Sequence, residues 1–179
     1  MEPDQLSIIA RDCVLAAVKL GSRSGIFRYK TKIHKTLFIL AQEFEELSQL
    51  RSDFIPHHFG PWSYEIEFTI EELVHLGFLE ERVNKVDEVD GLKHTGYVYT
   101  YRLTRAGRVL AERAVEKLSP KVRKRMKELL KLTVWELIGY VYVRYPEYAT
   151  RSVLTDDELL PNKRPDSTDI RSNSTTDSK

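Results

Sequence analysis

The stretch IEFTIEELVHLGFLE, residues 66–80, places the end of a helix directly before a strand. Its apolar residues recur at helical steps, and they are Ile66, Ile70, Leu73 and Leu76. Gly77 then supplies a helix stop and lets the chain turn at once into a strand that starts at Phe78. We predict that the helix begins at Pro61, because proline has the fixed φ of a first helical position. A helix that turns directly into a β-hairpin is typical of a winged helix.

The hairpin is predicted from two segments, 78–86 and 96–103. The second is rich in β-branched and aromatic residues, with Tyr97, Tyr99, Tyr101 and Leu103 alternating along it. Between them we predict a polar loop over 87–93, in which Asp90-Gly91 is a turn signal.

Two helices are predicted upstream. The first runs from Asp4 to about Leu20 and is stopped by Gly21. After a basic loop, Thr31 is the predicted N-cap of the core helix, whose apolar seam has steps of four and three and comprises Ile33, Leu37, Leu40, Phe44 and Leu47. A connector ending at His57-His58-Phe59-Gly60 leads to the third helix.

Three further helices are predicted downstream. Thr104 caps the first, Ser119-Pro120 opens the second, and the third begins near Thr133 and cannot simply continue past Pro146. The fold class is therefore mainly α with a small β-hairpin, a winged-helix-like domain with a C-terminal helical extension over residues 1–154. A helical bundle with an inserted hairpin is the alternative. Residues 155–179 lack aromatic side chains and are rich in Ser, Thr, Asp and Asn, so we predict a disordered polar tail.

Composition limits the function classes. The 179 residues carry 28 Lys and Arg against 27 Asp and Glu, a net charge of +1, so recognition of nucleic acid must come from local patches. One cysteine, Cys13, excludes an internal disulfide and a thiolate-rich zinc site. The absence of a signal peptide pattern and of a long apolar run predicts a cytoplasmic, membrane-free protein.

Several motifs carry a resemblance to a known family. They are Lys32 to Leu40 (KIHKTLFIL), Phe59 to Ile66 (FGPWSYEI), Leu73 to Glu80 (LVHLGFLE), Tyr101 to Gly107 (YRLTRAG) and Gly139 to Tyr148 (GYVYVRYPEY). In this order the chain resembles the YwgA-like and Panacea (SocA-like antitoxin) group over roughly residues 5–152. The resemblance implies a winged-helix-like domain of the kind found in antitoxins and in presumed DNA-binding proteins. It implies no particular chemistry.

Catalysis is not predicted, and neither is a metal or another cofactor. No pair of histidines has the i, i+4 spacing of a zinc hydrolase helix, and no glycine-rich phosphate loop occurs. His57 and His58 are adjacent, so in an extended chain they point to opposite sides, and we assign them a structural turn role. Cys13 lies on the apolar face of the first helix and is predicted to be a buried, inert thiol.

The third helix is acidic. Between Trp62 and Gly77 it has no Lys or Arg, and its carboxylates are Glu65, Glu67, Glu71 and Glu72. In most DNA-binding winged helices this helix enters the major groove, where carboxylates would be repelled by phosphate. The sequence therefore argues against the usual docking mode, and it offers these four residues as a surface for a basic partner protein.

Positive charge is concentrated in three clusters. One surrounds the start of the core helix, one flanks the hairpin, and one covers the fifth helix. The predicted nucleic-acid contacts are Arg23, Arg28, Lys30, Lys32 and Lys35; Arg102, Arg105 and Arg108; and Lys121, Arg123, Lys124, Arg125 and Lys127, with Lys131 at the end of the fifth helix. A solvated helix face is the alternative interpretation of the last cluster.

Two functions remain open from the sequence. The first is a DNA-associated regulatory protein, a homodimer that contacts the backbone of double-stranded DNA through the basic clusters. The second is an antitoxin-type protein-interaction module, in which the acidic third helix and any exposed aromatic residues, among them Trp135 and Tyr142, bind a partner protein. Core packing is the alternative interpretation of these aromatic residues.

Overall fold

The computed structural model describes residues 5–154, which form a mainly helical fold with a small antiparallel sheet. The helices are α1 (Gln5–Gly21), α2 (Lys30–Glu43), α3 (Tyr64–His75), α4 (Arg105–Lys117), α5 (Pro120–Lys131) and α6 (Val134–Arg144). The strands are β1 (Phe27–Arg28), β2 (Phe54–His57), β3 (Gly60–Ser63), β4 (Leu79–Val89) and β5 (Leu92–Leu103). Short 3₁₀ segments cover Glu45–Asp53 and Pro146–Ala149. The predicted tail at 155–179 lies outside the described residues.

The core is built around α1 and α2. Every residue of α2 from Ile33 to Ala41 is buried, which confirms the prediction that this is the core helix. It begins at Lys30 and not after a Thr31 cap, and it ends at Glu43. Leu47, predicted to continue its seam, lies in the following 3₁₀ segment, where it is still buried.

The main sheet has the strand order β1-β5-β4. The predicted turn at Asp90-Gly91 is confirmed, and both residues have a left-handed backbone, with φ of 47° and 86°, as a two-residue hairpin turn requires. The predicted loop over 87–93 is wrong, because β4 and β5 continue up to this turn. A register shift between Val86 and Glu88 accommodates the longer pairing. Strand β1, which pairs with β5, was predicted as part of a loop.

A second hairpin, formed by β2 and β3, precedes α3. Pro61 pairs with Pro56 in this hairpin, so the prediction that Pro61 opens the third helix is wrong. The N-cap of α3 is Ser63, whose hydroxyl accepts a hydrogen bond from the Ile66 N–H at 2.9 Å. The predicted N-terminal residues Thr104 and Ser119 are confirmed as the caps of α4 and α5. The predicted start of α6 near Thr133 is also confirmed, and Thr133 is its N-cap.

The tip of the β4–β5 hairpin is attached to α6. The Asp90 carboxylate accepts a hydrogen bond from the Val134 N–H at 2.7 Å, and the Trp135 indole N–H donates to the Val89 carbonyl at 2.6 Å. Val89, Trp135 and Ile138 belong to a small apolar cluster separate from the main core. The hairpin therefore folds back over the helical layer, and a cavity lies beneath it. No helix within residues 5–154 is both long and apolar enough to span a bilayer.

Candidate functional site

A cavity of about 300 Å³ lies under the folded-back hairpin. Five parts of the chain supply its lining, namely the start of α2, the β2–β3 hairpin, α3 through Glu67, the far half of the β4–β5 hairpin and α6. Aromatic rings dominate this lining. They come from Tyr29, His57, His58, Phe59, Trp62, His94, Tyr97, Tyr99 and Trp135. We call this space the aromatic cavity, and its volume is at the lower end of the range for small-molecule sites.

Rings stack on one another at one side of the aromatic cavity. The buried His34 ring lies parallel to Trp62, with ring centroids 3.8 Å apart, and His57 stacks on Trp62 at 5.2 Å. His58 follows His57 at 4.5 Å, so the prediction that His57 and His58 point to opposite sides is wrong. The turn between β2 and β3 starts immediately after His57, which removes the alternation of an extended strand.

A partly buried ion pair lies beside the aromatic rings. Lys30 Nζ lies 2.5 Å from the Glu67 carboxylate and 4.1 Å from the centre of the Tyr99 ring. His34 Nε2 lies 3.4 Å from Glu67, while His34 Nδ1 accepts from the Ser63 N–H at 3.3 Å. Burial lowers the pKa of His34 to about 4. The imidazole is therefore neutral at pH 7, with its proton on Nε2 facing Glu67.

Glu67 stays ionised in this environment. Burial raises its pKa, but hydrogen bonds from His34 and Lys30 outweigh burial and hold the pKa below the usual value. The pair of Lys30 and Glu67 thus places one cation and one carboxylate beside rings that are otherwise apolar. A ligand in the aromatic cavity meets both a hydrogen-bond donor and an acceptor.

A second cavity of about 350 Å³ is polar and lies on the other side of Tyr29. Its cationic side chains come from the loop after α1, from β1, from α2 and from the end of α5, and they are Arg23, Arg28, Lys32 and Lys131. Asp90 contributes the single carboxylate of the lining. We call this space the basic cleft. The cleft brings together residues from the basic cluster at the start of α2 and from the basic cluster of α5, which lie about a hundred positions apart in the sequence.

Lys32 is half-buried in the basic cleft. Its Nζ donates to the Leu130 carbonyl at 3.0 Å, which fixes the ammonium between α2 and the end of α5. Burial lowers the pKa of Lys32, while Asp90 acts in the opposite direction. An anion in the cleft would favour the charged form of this lysine.

Tyr29 forms a wall common to both spaces. Its backbone has φ of 74°, a left-handed conformation that costs a non-glycine residue about 1–3 kcal/mol. The hydroxyl accepts a hydrogen bond from the Asp90 N–H at 3.2 Å, and the Tyr29 N–H donates to the Tyr99 carbonyl at 2.9 Å. Backbone strain held in place by such contacts is common at functional sites.

Of the predicted nucleic-acid contacts outside the basic cleft, some are buried or paired with carboxylates and others are exposed. Lys35 is fully buried and therefore cannot contribute to an exposed basic cluster, which corrects that prediction. Arg125 makes a bidentate pair with Glu43, at 2.8 and 2.9 Å, and Lys30 is held by Glu67. The residues that remain exposed are Arg102, Arg105, Arg108, Lys121, Lys124 and Lys127, with Arg123 half-buried.

Some of the predicted partner-binding residues are buried or engaged in other contacts, and others are exposed. Trp135 is buried under the hairpin and Tyr142 packs against the core, so neither offers an exposed aromatic surface. Glu67 is engaged in its ion pair, and Glu65 is half-buried. Glu71 and Glu72 are exposed. The exposed apolar side chains of this region were not predicted, and they are Tyr64, Phe68 and Leu76 on the outer side of α3.

Sequence reasoning missed the aromatic cavity entirely. Four of the five histidines, His34, His57, His58 and His94, lie in or against it, as do both tryptophans. Among residues 5–154, no group of three or more His, Cys, Asp or Glu side chains is placed to hold a metal ion. Cys13 is buried, and burial, with smaller contributions from Asp12 and Glu46, raises its pKa to about 12, so the prediction of a buried thiol is confirmed.

Neither a protein-family model nor a curated protein sequence matches this chain. The two neighbouring spaces are therefore interpreted from their own chemistry. One is lined by aromatic rings and a partly buried ion pair, and the other is lined by several cationic side chains.

Proposed function

We propose that this chain is a winged-helix-like, DNA-associated protein that binds nucleic acid through the phosphate backbone, with the basic cleft as the centre of the contact surface. The observation that carries the proposal is the convergence of Arg23, Arg28, Lys32 and Lys131 on one cleft that has a single carboxylate. Arginine and lysine neutralise phosphates and release counterions, which supplies most of the affinity for nucleic acid.

The face of the sheet extends the basic surface beyond the cleft. Strand register places Thr100 directly between Arg28 on β1 and Arg82 on β4. Residues directly opposite each other in a sheet project to the same side, so these two arginines flank Thr100 on one face. Arg102, two positions further along β5, joins them on that face. Glu80, which lies directly opposite Arg102 in the register, is on the same face and offsets part of this positive charge.

The attached hairpin tip supports a departure from the usual winged-helix docking mode. A wing whose tip is hydrogen-bonded to α6 does not project freely into a groove. Helix α3 exposes Glu71 and Glu72, which repel phosphate. Both features favour a DNA contact surface on the side of the basic cleft and not on α3.

The proposal predicts salt-dependent binding of duplex DNA. Retention on a DNA column is expected to fall steeply as salt rises from about 50 to 200 mM, because each phosphate contact contributes to the slope. A chain that does not bind at low salt, or whose binding is indifferent to salt, would contradict the proposal.

Charge reversal tests the location of the contact. The double variant Arg28→Glu with Lys131→Glu is expected to weaken DNA binding at least tenfold and to reduce the logarithmic salt slope by about 2. The matched control is Lys121→Glu with Lys124→Glu, which makes the same change in net charge on the exposed side of α5. An equal loss of affinity in the control would place the contact on α5 and overturn the assignment to the cleft.

A protein-interaction module is the second candidate, and a groove of about 980 Å³ between α1, α3 and α4 favours it. Phe68 and Leu76 line this groove and are 61% and 56% exposed, beside Glu72. Arg11, Arg113 and Lys117 line the groove as well as its carboxylates, so its exposed apolar side chains, and not its net charge, suit an amphipathic segment of a partner protein.

Replacement of Phe68 tests this candidate. Phe68→Ala is expected to release a partner that the wild-type protein captures from host extract, because aromatic side chains contribute most to such interfaces. Val143→Ala is the control, since Val143 is 82% exposed and does not line the groove. Retention of the partner by Phe68→Ala would exclude the groove as its binding site.

A further inference from the structure

We propose that the aromatic cavity binds an unstacked nucleobase whose phosphate lies in the basic cleft. The ligand is therefore a nucleotide unit, either free or within a single strand. This inference rests on the proposed function and names the form of nucleic acid that the site accepts.

The lining of the aromatic cavity suits a planar heterocycle. Rings from Tyr97, Tyr99 and Trp135 come from two different elements and surround one space of about 300 Å³. Aromatic side chains bind bases of any sequence because every base has a π-face. A flexible aliphatic chain would gain no comparable stacking from such walls.

Polar groups in the cavity match the edges of a base. The Lys30 ammonium and the Glu67 carboxylate provide a donor and an acceptor. Burial and the nearby His58 lower the pKa of His57, so its imidazole is neutral at pH 7 and offers one donor and one acceptor. Bases carry the same mixture of donors and acceptors on their edges.

The two spaces adjoin at Tyr29. Lys30 and Thr31 line the aromatic cavity, Lys32 lines the basic cleft, and Tyr29 lines both. A nucleotide has the corresponding two parts, an aromatic heterocycle and an anionic phosphate joined through a sugar. The juxtaposition of an aromatic space and a cationic space across one side chain is therefore the feature that selects this ligand.

The base must leave its stack to enter. In a duplex each base is paired and stacked, and extruding it costs a few kcal/mol, whereas a single strand offers bases that are already accessible. We accordingly expect single strands to bind more tightly than duplexes with the same number of phosphates.

Tryptophan fluorescence gives a direct readout, because the chain has two tryptophans and both line the aromatic cavity. We expect oligothymidylate to quench this fluorescence in the full-length protein and to bind at least about fivefold more tightly than an abasic oligonucleotide of equal length. The abasic strand keeps the phosphates and lacks the bases. Thymidine monophosphate is the third ligand tested in the same quenching measurement. Quenching by it with similar affinity identifies a free nucleotide as the ligand, and tighter binding of the oligonucleotide identifies a strand.

Two tyrosines of equal exposure provide matched variants. Tyr97 lines the aromatic cavity and is 68% exposed, while Tyr64 lies on α3 and is 67% exposed. Tyr97→Ala is expected to abolish the preference for base-bearing over abasic strands, and Tyr64→Ala to retain it. His58→Ala, at another exposed residue of the lining, is a second variant that leaves the core intact and is expected to act like Tyr97→Ala.

The outcomes separate this inference from the proposed function. Equal affinity for base-bearing and abasic strands would overturn the base site and leave backbone binding in place. A failure of every strand, duplex or single, to bind at low salt would overturn the proposed function and this inference with it. Loss of base preference in Tyr64→Ala would also overturn the assignment to the aromatic cavity.

Discussion

Between pH 7 and pH 10, the free energy of unfolding of the wild-type protein is expected to rise by about 4 kcal/mol relative to that of the Lys35→Met variant. Lys35 is fully buried at the centre of α2, and its ammonium has one hydrogen-bond acceptor, the Pro61 carbonyl at 2.8 Å. Among residues 5–154, no carboxylate forms an ion pair with this ammonium. Burial therefore lowers the pKa of Lys35 from 10.5 to about 7.

The direction of the effect follows from proton binding. In the unfolded chain the lysine keeps its proton up to about pH 10.4. In the folded protein it loses the proton above pH 7. Between these values the unfolded state binds more protons, so the stability of the wild-type protein increases with pH. Well below pH 7 the Lys35 amine is protonated in both the folded and the unfolded state. Its contribution to the free energy of unfolding then no longer changes with pH.

Urea unfolding at pH 7, 8, 9 and 10 measures the difference. Methionine fills a similar volume and does not titrate, so Lys35→Met lacks this part of the pH dependence. Lys124→Met is the control, because Lys124 is exposed and its ammonium stays in solvent on folding. Parallel pH profiles for wild type and Lys35→Met would show that Lys35 retains its ordinary pKa in the folded protein.

Lys35 also shows why the sequence misplaced part of the basic cluster. The apolar seam of α2 predicts that only one face of the helix is buried and that the polar residues between the seam positions are exposed to solvent. In the structure His34, Lys35 and Thr36 are as buried as the seam, because β3 and α6 pack against the remaining sides of α2. The β2–β3 hairpin was not predicted, since Pro61 favours a helix start as strongly as an edge strand.

Features fixed by neighbouring residues were predictable. Thr104, Ser119 and Thr133 cap their helices through hydrogen bonds within three residues, and Asp90-Gly91 forms its turn through its own backbone preference. These signals need no knowledge of the rest of the fold. The helical class and the position of the long hairpin follow from them.

The aromatic cavity was not predictable because its walls are distant in sequence. Tyr29 and Trp135 come together only when the hairpin tip attaches to α6. Seen alone, each of these residues is a common core aromatic, and the sequence leaves open whether Trp135 belongs to the core or to a partner-binding surface. Lys131 and Arg23 meet in the basic cleft for the same reason. Local patterns indicate the type of these residues, and tertiary packing decides which of them share a site.

Gly107→Ala is expected to destabilise the protein by about 3 kcal/mol, although alanine is normally favoured over glycine inside a helix by about 1 kcal/mol. Gly107 lies in the first turns of α4, immediately behind the turn from α3 into β4. A Cβ atom at this position would lie 2.0 Å from the carbonyl oxygen of Phe78 and 2.9 Å from its carbonyl carbon. These are backbone atoms, so no rotamer change relieves the overlap.

The surrounding hydrogen bonds raise the energy needed to move the Phe78 backbone away from Gly107. The Phe78 carbonyl accepts from the Thr104 N–H at 3.1 Å. The Thr104 hydroxyl accepts from the Gly107 N–H at 3.0 Å and donates to the Gly77 carbonyl at 2.8 Å. A shift of α4 that makes room for a methyl group therefore also disturbs its N-cap and the junction between α3 and the hairpin.

Thermal or urea unfolding with a matched glycine variant tests this explanation. Gly96→Ala is the control, because the Cβ at Gly96 would have its nearest neighbour at 3.6 Å, an ordinary van der Waals distance. Its stability is expected to stay near the wild-type value. A Gly107→Ala protein as stable as this control would mean that α4 can slide relative to the turn. The Leu-Thr-x-x-Gly motif at 103–107 would then serve only as a helix cap. A large loss would show that the motif holds the hairpin against α4 and fixes the geometry over which the aromatic cavity forms.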